Sequence, residues 1–205
     1  MKKKILITGS SGQLGSALQS SLSVNFDILS TSKIKSDSLS YLKNNKILDI
    51  TNRNNVSYIL NYFSPDIIIN CAAFTNVDMS ESNKKNAHNV NVLGLENLIK
   101  YSDKNIYIIQ ISSDYVFNGN LGPYKEDDLT YPVNYYGKTK LEAENILRGS
   151  NCRWTIFRPN VIYSYNLKCK DNFFTWIYRS LLNKNHKQSF SDSVCKGPQH
   201  LAYSC

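Results

Sequence analysis

Three glycines near the amino terminus constrain the fold of this chain more than any other feature. Gly9, Gly12 and Gly15 form the pattern G-x-x-G-x-x-G directly after an apolar run and at the start of a helical stretch. The first glycine permits a tight turn, the second lets a phosphate approach the backbone, and the third lets the helix pack closely on the strand. We therefore expect a dinucleotide-binding loop. The other loop residues included in this prediction are Ser11, Gln13 and Leu14.

Short apolar or β-branched runs alternate with longer helical stretches along the chain. We predict strands at 4–8, 26–31, 46–49, 66–71, 105–112 and 153–157, and helices at 12–22, 52–63, 87–101 and 134–147. Six strands separated mostly by helices indicate βαβ units with right-handed crossovers. The fold class predicted is α/β, with the doubly wound parallel sheet of the Rossmann fold. One further helix is predicted at 171–182.

Composition limits the class of protein. The chain has 205 residues, 41% of them hydrophobic, which suits one folded domain with part of a second. No apolar run approaches the roughly 18 residues that cross a bilayer, and no export signal is recognisable, so we expect a cytoplasmic protein without a membrane partner. The five cysteines form no C-x-x-C pair and the three histidines have no metal-site spacing, so no metal is predicted.

The net charge of +8 would suit an anionic partner, but the basic residues belong to no nucleic-acid-binding module, and no nucleic acid is expected. The end of the second predicted strand reads Ser30-Thr31-Ser32-Lys33 and carries no carboxylate. Ser32 and Lys33 can receive a 2′-phosphate there, which favours NADPH and leaves NADH open. Asp49, followed by Ile50, is placed either to accept from the adenine amine or to lie at the start of the next helix.

A tyrosine and a lysine lie one helical turn apart. Tyr136 and Lys140 are spaced i, i+4, so both side chains share one face, and an ammonium there would lower the pKa of the tyrosine toward working pH. Such a phenol is a general acid for a carbonyl oxygen that receives a hydride. Ser112 and Ser113 lie at the carboxyl end of the fifth predicted strand, at the sheet edge where open α/β sheets bind ligands.

The sequence resembles the extended short-chain dehydrogenases, and within them the dTDP-4-dehydrorhamnose reductase (RmlD-like) group. The stretches that carry the resemblance are 70–78, 90–92, 112–119 and 135–142. The resemblance implies that Ser113, Tyr136 and Lys140 are catalytic, and that Tyr136 and Lys140 also contact the cofactor. It places four further residues beside the cofactor: Cys71, Ala72, Ala73 and Thr75. Asn91 matches the helix asparagine that supports the site and is included with the cofactor-binding residues.

The resemblance implies NADPH-dependent reduction of the C4 keto group of a nucleotide-linked 4-keto-6-deoxy sugar. Two alternatives stay open: a sugar-nucleotide epimerase or dehydratase of the same superfamily, and a non-catalytic dinucleotide-binding regulatory protein or inactive fragment. We expect an NAD(P)-binding domain over 1–165 and an incomplete substrate-binding region over 166–205. The expected partner is a small-molecule nucleotide sugar, and a homodimer is compatible with the sequence.

Overall fold

A computed structural model of the chain describes residues 2–34, 45–120 and 122–162. In this part of the chain six parallel strands form one sheet with the order β3-β2-β1-β4-β5-β6. The chain moves outward from β1 to β3, returns to the centre at β4 and moves outward again to β6. The reversal between β1 and β4 opens a crevice at the carboxyl ends of these strands, which is where such sheets bind their ligands.

The strands are β1 (Lys4–Thr8), β2 (Asp27–Ser32), β3 (Asn45–Ile47), β4 (Ile67–Asn70), β5 (Tyr107–Ile111) and β6 (Arg153–Phe157). The helices are α1 (Gln13–Leu22), α2 (Arg53–Phe63), α3 (Val77–Ser82), α4 (Lys84–His88), α5 (Gly94–Tyr101) and α6 (Tyr135–Arg148). A single π-helical turn (Asn89–Leu93) joins α4 to α5, and a short 3-10 turn (Asp114–Val116) follows β5. Every predicted strand and helix within the described residues is present, with ends that differ by a few residues.

The main difference from the sequence prediction lies before residue 87. Two helices, α3 and α4, begin before the predicted start of the helix at 87–101, and α4 runs on to His88. Asn76 and Asn83 cap them, since their side chains accept from the backbone nitrogens of Met79 at 2.8 Å and Asn86 at 3.3 Å. The segment between these caps is polar and has no apolar period, so capping rather than burial decides its structure, and periodicity alone could not find it.

The two faces of the sheet are covered by different helices. Alternate residues of the strands, such as Leu6 and Ile68, pack on one face against buried side chains of α2, α5 and α6. Their neighbours Ile7 and Ile69 pack on the other face, where Leu18 and Leu22 of α1 lie. Successive side chains of a strand point to opposite faces of the sheet, so these apolar strands contribute side chains to two hydrophobic cores, one on each face.

In the described parts of the chain, no helix is long and apolar enough to cross a membrane. The helix predicted at 171–182 and the region 166–205 lie outside the described residues.

Candidate active site

The glycine-rich loop lies against the end of β4. Gly9 has a φ of +63°, a conformation that L side chains rarely adopt. A Cβ at this position would come within 2.7 Å of the Ala72 nitrogen and 2.8 Å of the Cys71 carbonyl carbon. A Cβ at Gly15 would lie 2.7 Å from the Gly9 carbonyl oxygen. Both glycines are therefore required for the loop to pack between β4 and α1.

The middle glycine has a different environment. Among the described residues, a Cβ at Gly12 would meet only the Gly9 carbonyl oxygen, at 3.2 Å. Gly12 is also the N-cap of α1, which has no side-chain cap and no acidic residue in its first turn. Space beside a helix amino terminus without a competing carboxylate fits the pyrophosphate of a dinucleotide. Ser11, Gln13 and Leu14 are half-buried around this position.

The end of β2 meets the segment after β3. Lys33 Nζ lies 2.9 Å from Asp49 Oδ2, and the lysine side chain is 64% exposed. The Ser32 hydroxyl points inward and donates to the Ile34 carbonyl oxygen at 2.7 Å. Lys33 is therefore the accessible group at this strand end.

Asp49 is held by its own neighbours. Its Oδ1 accepts from the Thr51 nitrogen at 3.0 Å and the Thr51 hydroxyl at 2.7 Å. Burial raises the pKa of this carboxyl, but the hydrogen bonds from Thr51 and Lys33 outweigh burial and hold the pKa below its usual value. Asn52, and not Asp49, caps α2, while Ile50 is buried in the core.

Ser113 caps the short turn after β5. Its Oγ accepts from the Tyr115 nitrogen at 3.2 Å and donates to Asp114 Oδ1 at 3.0 Å. Glycine brings α6 close to this turn, because a Cβ at Gly137 would collide with the Tyr115 carbonyl oxygen and lie 3.0 Å from Pro132 Cβ. Asn134 starts the helix by accepting from the Gly137 nitrogen at 2.8 Å. This close packing places the first turn of α6 beside Ser113.

The Tyr136 phenol lies near enough to Ser113 for that hydroxyl to act on its pKa. The phenol is 8% exposed. Burial raises its pKa to about 12, the Ser113 hydroxyl lowers it by less, and Asp114 and Tyr115 raise it further. The expected lowering by Lys140 is wrong for this structure, because desolvation of the phenolate dominates. At neutral pH the phenol keeps its proton, which is the form that a general acid needs.

Lys140 is buried at the same site. Its side chain is 2% exposed, and Nζ donates to the Ile111 carbonyl oxygen at 2.6 Å. Burial lowers the pKa of this ammonium to about 8, and Glu144 and Cys71 act in the opposite direction. The Cys71 thiol, whose pKa burial raises to about 12, lies at the end of β4. The catalytic lysine predicted from spacing is therefore within reach of the residues predicted to line the cofactor.

Asn91 lies in the π-helical turn and hydrogen-bonds both to the loop after β4 and to α6. Its Oδ1 accepts from the Phe74 nitrogen at 2.8 Å, and its Nδ2 donates to the Phe74 carbonyl oxygen at 3.2 Å and to Thr139 Oγ1 at 2.9 Å. The side chain is 2% exposed. These contacts hold the loop after β4, where Ala72 and Ala73 are half-buried and Thr75 is exposed.

A family profile matches almost the whole chain. The family described as the RmlD substrate binding domain matches residues 2–196. This chain belongs to that family.

Two curated relatives and one solved structure illustrate the similarity. The dTDP-4-dehydrorhamnose reductase of Aggregatibacter actinomycetemcomitans is 39% identical over 195 residues, which are 93% of this chain and 61% of that protein. Methionine adenosyltransferase 2 subunit beta of Xenopus laevis is 29% identical over 201 residues, which are 97% of this chain and 59% of that protein. A crystal structure of dTDP-4-dehydrorhamnose reductase from Bacillus anthracis str. Ames in complex with NADP has a TM-score of 0.76 and 32% identity.

That crystal structure is matched over 89% of this chain and 61% of its own chain. The present RmlD family chain thus spans less than two thirds of the length of these relatives. The family resemblance and the doubly wound fold predicted from the sequence are confirmed. The roles of the individual site residues and the division at residue 165 stay predictions.

A chain of buried polar side chains that was not predicted from the sequence lies behind the RmlD family site. The Thr8 hydroxyl donates to Asn70 Oδ1 at 2.6 Å, and Asn70 Nδ2 donates to Gln110 Oε1 at 2.8 Å. Gln110 Nε2 in turn donates to the Ile111 carbonyl oxygen at 3.2 Å, the same oxygen that accepts from Lys140. Asn70 and Gln110 lie in otherwise apolar strands, and this pattern in the sequence indicates such a chain, because buried amides need hydrogen-bond partners.

Proposed function

We propose that this chain reduces the C4 keto group of a nucleotide-linked 4-keto-6-deoxy sugar with NADPH, in the cytoplasm and for the synthesis of cell-surface polysaccharide. The observation that carries the proposal is the position of the Ser113 hydroxyl, which caps the turn after β5, near the buried Tyr136 phenol. Lys140 lies one helical turn further along α6. The named reductase relatives support the substrate class.

The residues of the loop and of the β2 end fit NADPH. The open side of Gly12 and the uncapped start of α1 suit the pyrophosphate. The exposed Lys33 ammonium suits a 2′-phosphate, since the carboxylate nearest to it, Asp49, is already bonded to Thr51 and to the lysine itself. NADPH would supply the hydride for the reduction.

The chain's own residues perform the proton transfer. The protonated Tyr136 phenol donates its proton to the carbonyl oxygen as that oxygen gains negative charge. The Ser113 hydroxyl, which donates to Asp114 Oδ1 at 3.0 Å in this structure, turns to donate to the same carbonyl oxygen and orients it beside the phenol. Lys140, one helical turn further along α6, contacts the bound cofactor in this proposal; in the structure its Nζ donates to the Ile111 carbonyl oxygen.

The test is to mix the purified chain with NADPH and a dTDP-4-keto-6-deoxy sugar and to follow NADPH fluorescence and sugar products together. The proposal predicts loss of one NADPH for each reduced sugar formed, with slower turnover when NADH replaces NADPH. A sugar that is epimerised or dehydrated without net NADPH oxidation would instead assign the chain to the epimerase or dehydratase class.

A second candidate function is that of a dinucleotide-binding regulatory subunit. The similarity to methionine adenosyltransferase 2 subunit beta favours it, because that similarity extends over 97% of this chain. Saturable NADPH binding in the same experiment, without turnover of any sugar, would support this candidate against the reductase.

A further inference from the structure

A carboxylate without exposed surface lies on α6 behind the candidate site. Glu144 is 0% exposed, and four donors surround its two oxygens. Oε1 accepts from the Ser112 hydroxyl at 2.5 Å and from Arg158 Nε at 2.9 Å. Oε2 accepts from the Arg158 terminal nitrogen at 2.7 Å and from the Arg148 terminal nitrogen at 3.0 Å. A bidentate arginine of this kind fixes the plane of the carboxylate.

The position of Glu144 connects it to two catalytic candidates. It follows Lys140 by one helical turn and Tyr136 by two, and all three side chains are buried on the same side of α6. Its partner Ser112 directly precedes Ser113. The Glu144 carboxylate therefore contacts the strand end that carries Ser113, and it lies on the same face of α6 as Lys140.

We propose that Glu144 is a positioning residue that holds the Ser112–Ser113 strand end against α6 and places a negative charge one helical turn from Lys140. The inference rests on the proposed function in taking Ser113 and Lys140 as site residues. Glu144 itself does not touch the reacting atoms.

The first part of the proposal follows from the hydrogen bond to Ser112. Rotation of the Glu144 carboxylate would leave the Arg158 and Arg148 guanidinium groups without their partner, so the carboxylate is held in one orientation. The position of its Oε1, which accepts from the Ser112 hydroxyl, is therefore fixed. Arg158 extends the restraint, because its remaining nitrogen donates to the Glu126 carbonyl oxygen at 2.9 Å and its guanidinium lies 5.0 Å from the centre of the Phe117 ring. The segments on both sides of Ser113 are therefore anchored to α6.

The second part follows from charge. Burial alone favours neutral Lys140, and the groups that oppose burial are Glu144 on α6 and Cys71 at the end of β4. The thiol is protonated at neutral pH, since burial raises its pKa to about 12, and a protonated thiol has no negative charge. Tyr136 is protonated as well. Glu144 thus supplies the negative charge that acts on Lys140 near neutral pH, while Arg148 and Arg158 hold the carboxylate ionised.

The test is the titration of Lys140 in the whole chain, followed by NMR of protein labelled with carbon-13 at the lysine ε carbons. The signal that is absent from Lys140→Met identifies the residue. In Glu144→Gln we expect the midpoint of this signal to fall by on the order of one pH unit. The matched control is Glu142→Gln, the same substitution two residues earlier at a side chain that is 50% exposed, and its midpoint is unchanged.

A second variant guards against loss of the fold. Glu144→Gln leaves two arginines without a counter-charge, whereas Glu144→Gln with Arg158→Gln replaces the buried ion pair by two neutral amides. Both variants remove the Glu144 charge that acts on Lys140, so the midpoint falls in both, but by less in the double variant, because that variant also removes a neighbouring cation. An unchanged midpoint in whichever of these variants folds overturns the proposal.

The strand-end part has its own measurement. In Glu144→Gln we expect the backbone amide signals of Ser113 and Asp114, which are remote in sequence, to shift, whereas in Glu142→Gln they keep their positions. If these amides keep their positions in the spectrum of Glu144→Gln, Glu144 does not position the strand end. Neither measurement needs cofactor or sugar, so a failed reductase assay and a failed Glu144 proposal are distinguishable.

Discussion

Asn91 Nδ2 lies 2.9 Å from Thr139 Oγ1, and this hydrogen bond joins the π-helical turn to the helix α6, which carries Tyr136 and Lys140. The Thr139 hydroxyl passes the contact on by donating to the Tyr136 carbonyl oxygen at 2.7 Å. Since the other polar atom of Asn91 holds Phe74, one side chain fixes both the loop after β4 and the first turn of α6. A wider helix turn at this point lets an asparagine reach two elements at once, which is a common use of π-helical turns at functional sites.

Replacing this asparagine tests the coupling. Asn91→Ala leaves buried partners at Phe74 and Thr139 unsatisfied, so we expect a loss of about 1 to 3 kcal/mol in the free energy of unfolding. Because the loop beside the predicted cofactor position is released, NADPH binding weakens as well. Urea unfolding and a fluorescence titration measure the two effects. Asn86→Ala, at an exposed position in α4, is the control and changes neither; equal effects of both variants would contradict the coupling.

Gly9 in the phosphate-binding loop and Gly149 at the end of α6 allow the same substitution to be compared at a crowded and at an uncrowded position. Gly9→Ala forces a Cβ onto the backbone of Ala72 at a positive φ, so we expect destabilisation by more than about 1 kcal/mol and an at least tenfold loss of NADPH affinity. Gly149→Ala places its Cβ 3.5 Å from the Asn145 carbonyl oxygen, an ordinary contact, and leaves affinity unchanged. Thermal unfolding of both variants measures the change in stability, and NADPH titration measures the change in affinity. A Gly9→Ala variant that binds NADPH normally would show that the loop does not require its glycine.

The buried lysine predicts a pH dependence of stability. Burial lowers the pKa of Lys140 from 10.5 to about 8, so between these values the unfolded chain holds a proton that the folded chain does not. The contribution of Lys140 to the free energy of unfolding therefore rises with pH, starting near pH 8. Cys71 acts in the opposite sense above pH 9, because burial raises the pKa of its thiol from 9.0 to about 12. The clearest window is pH 8 to 9.

Urea unfolding of three proteins across that window isolates the lysine. The unaltered chain should gain stability from pH 8 to 9 relative to Lys140→Met, which has no titrating group there. Lys138→Met, at an exposed position on the same helix, should follow the unaltered chain. Parallel curves for all three proteins would mean that Lys140 is not desolvated as described.

Most of the fold could be predicted from the sequence because apolar runs of strand length alternate with helical stretches. The strands from Lys4–Thr8 and Arg153–Phe157 have the bounds that the pattern predicts. The helices Val77–Ser82 and Lys84–His88 could not be predicted, since asparagine caps and not apolar periodicity define them.

Spacing proposed the site, but its electrostatics needed the structure. Tyr136 and Lys140 were predicted from an i, i+4 pair, a hydroxyl was predicted at the strand end, and the family resemblance selected Ser113; the roles of all three stay predictions. The direction of the Tyr136 pKa was predicted wrongly, because the degree of burial depends on contacts with the distant Ser113 turn. Glu144 was missed for the same reason, although its position one turn after Lys140 was a signal in the sequence.

The most direct test of the proposed reductase compares two neighbouring tyrosines. Tyr136→Phe removes the proposed general acid, and Tyr135→Phe makes the same change one residue earlier, where the side chain lies under Lys84 instead of beside Ser113. NADPH oxidation on addition of a dTDP-4-keto-6-deoxy sugar is measured for both variants and for the unaltered chain. We predict a loss of at least about 100-fold for Tyr136→Phe with NADPH affinity retained, and full activity for Tyr135→Phe. Equal activity of the two variants would contradict the account.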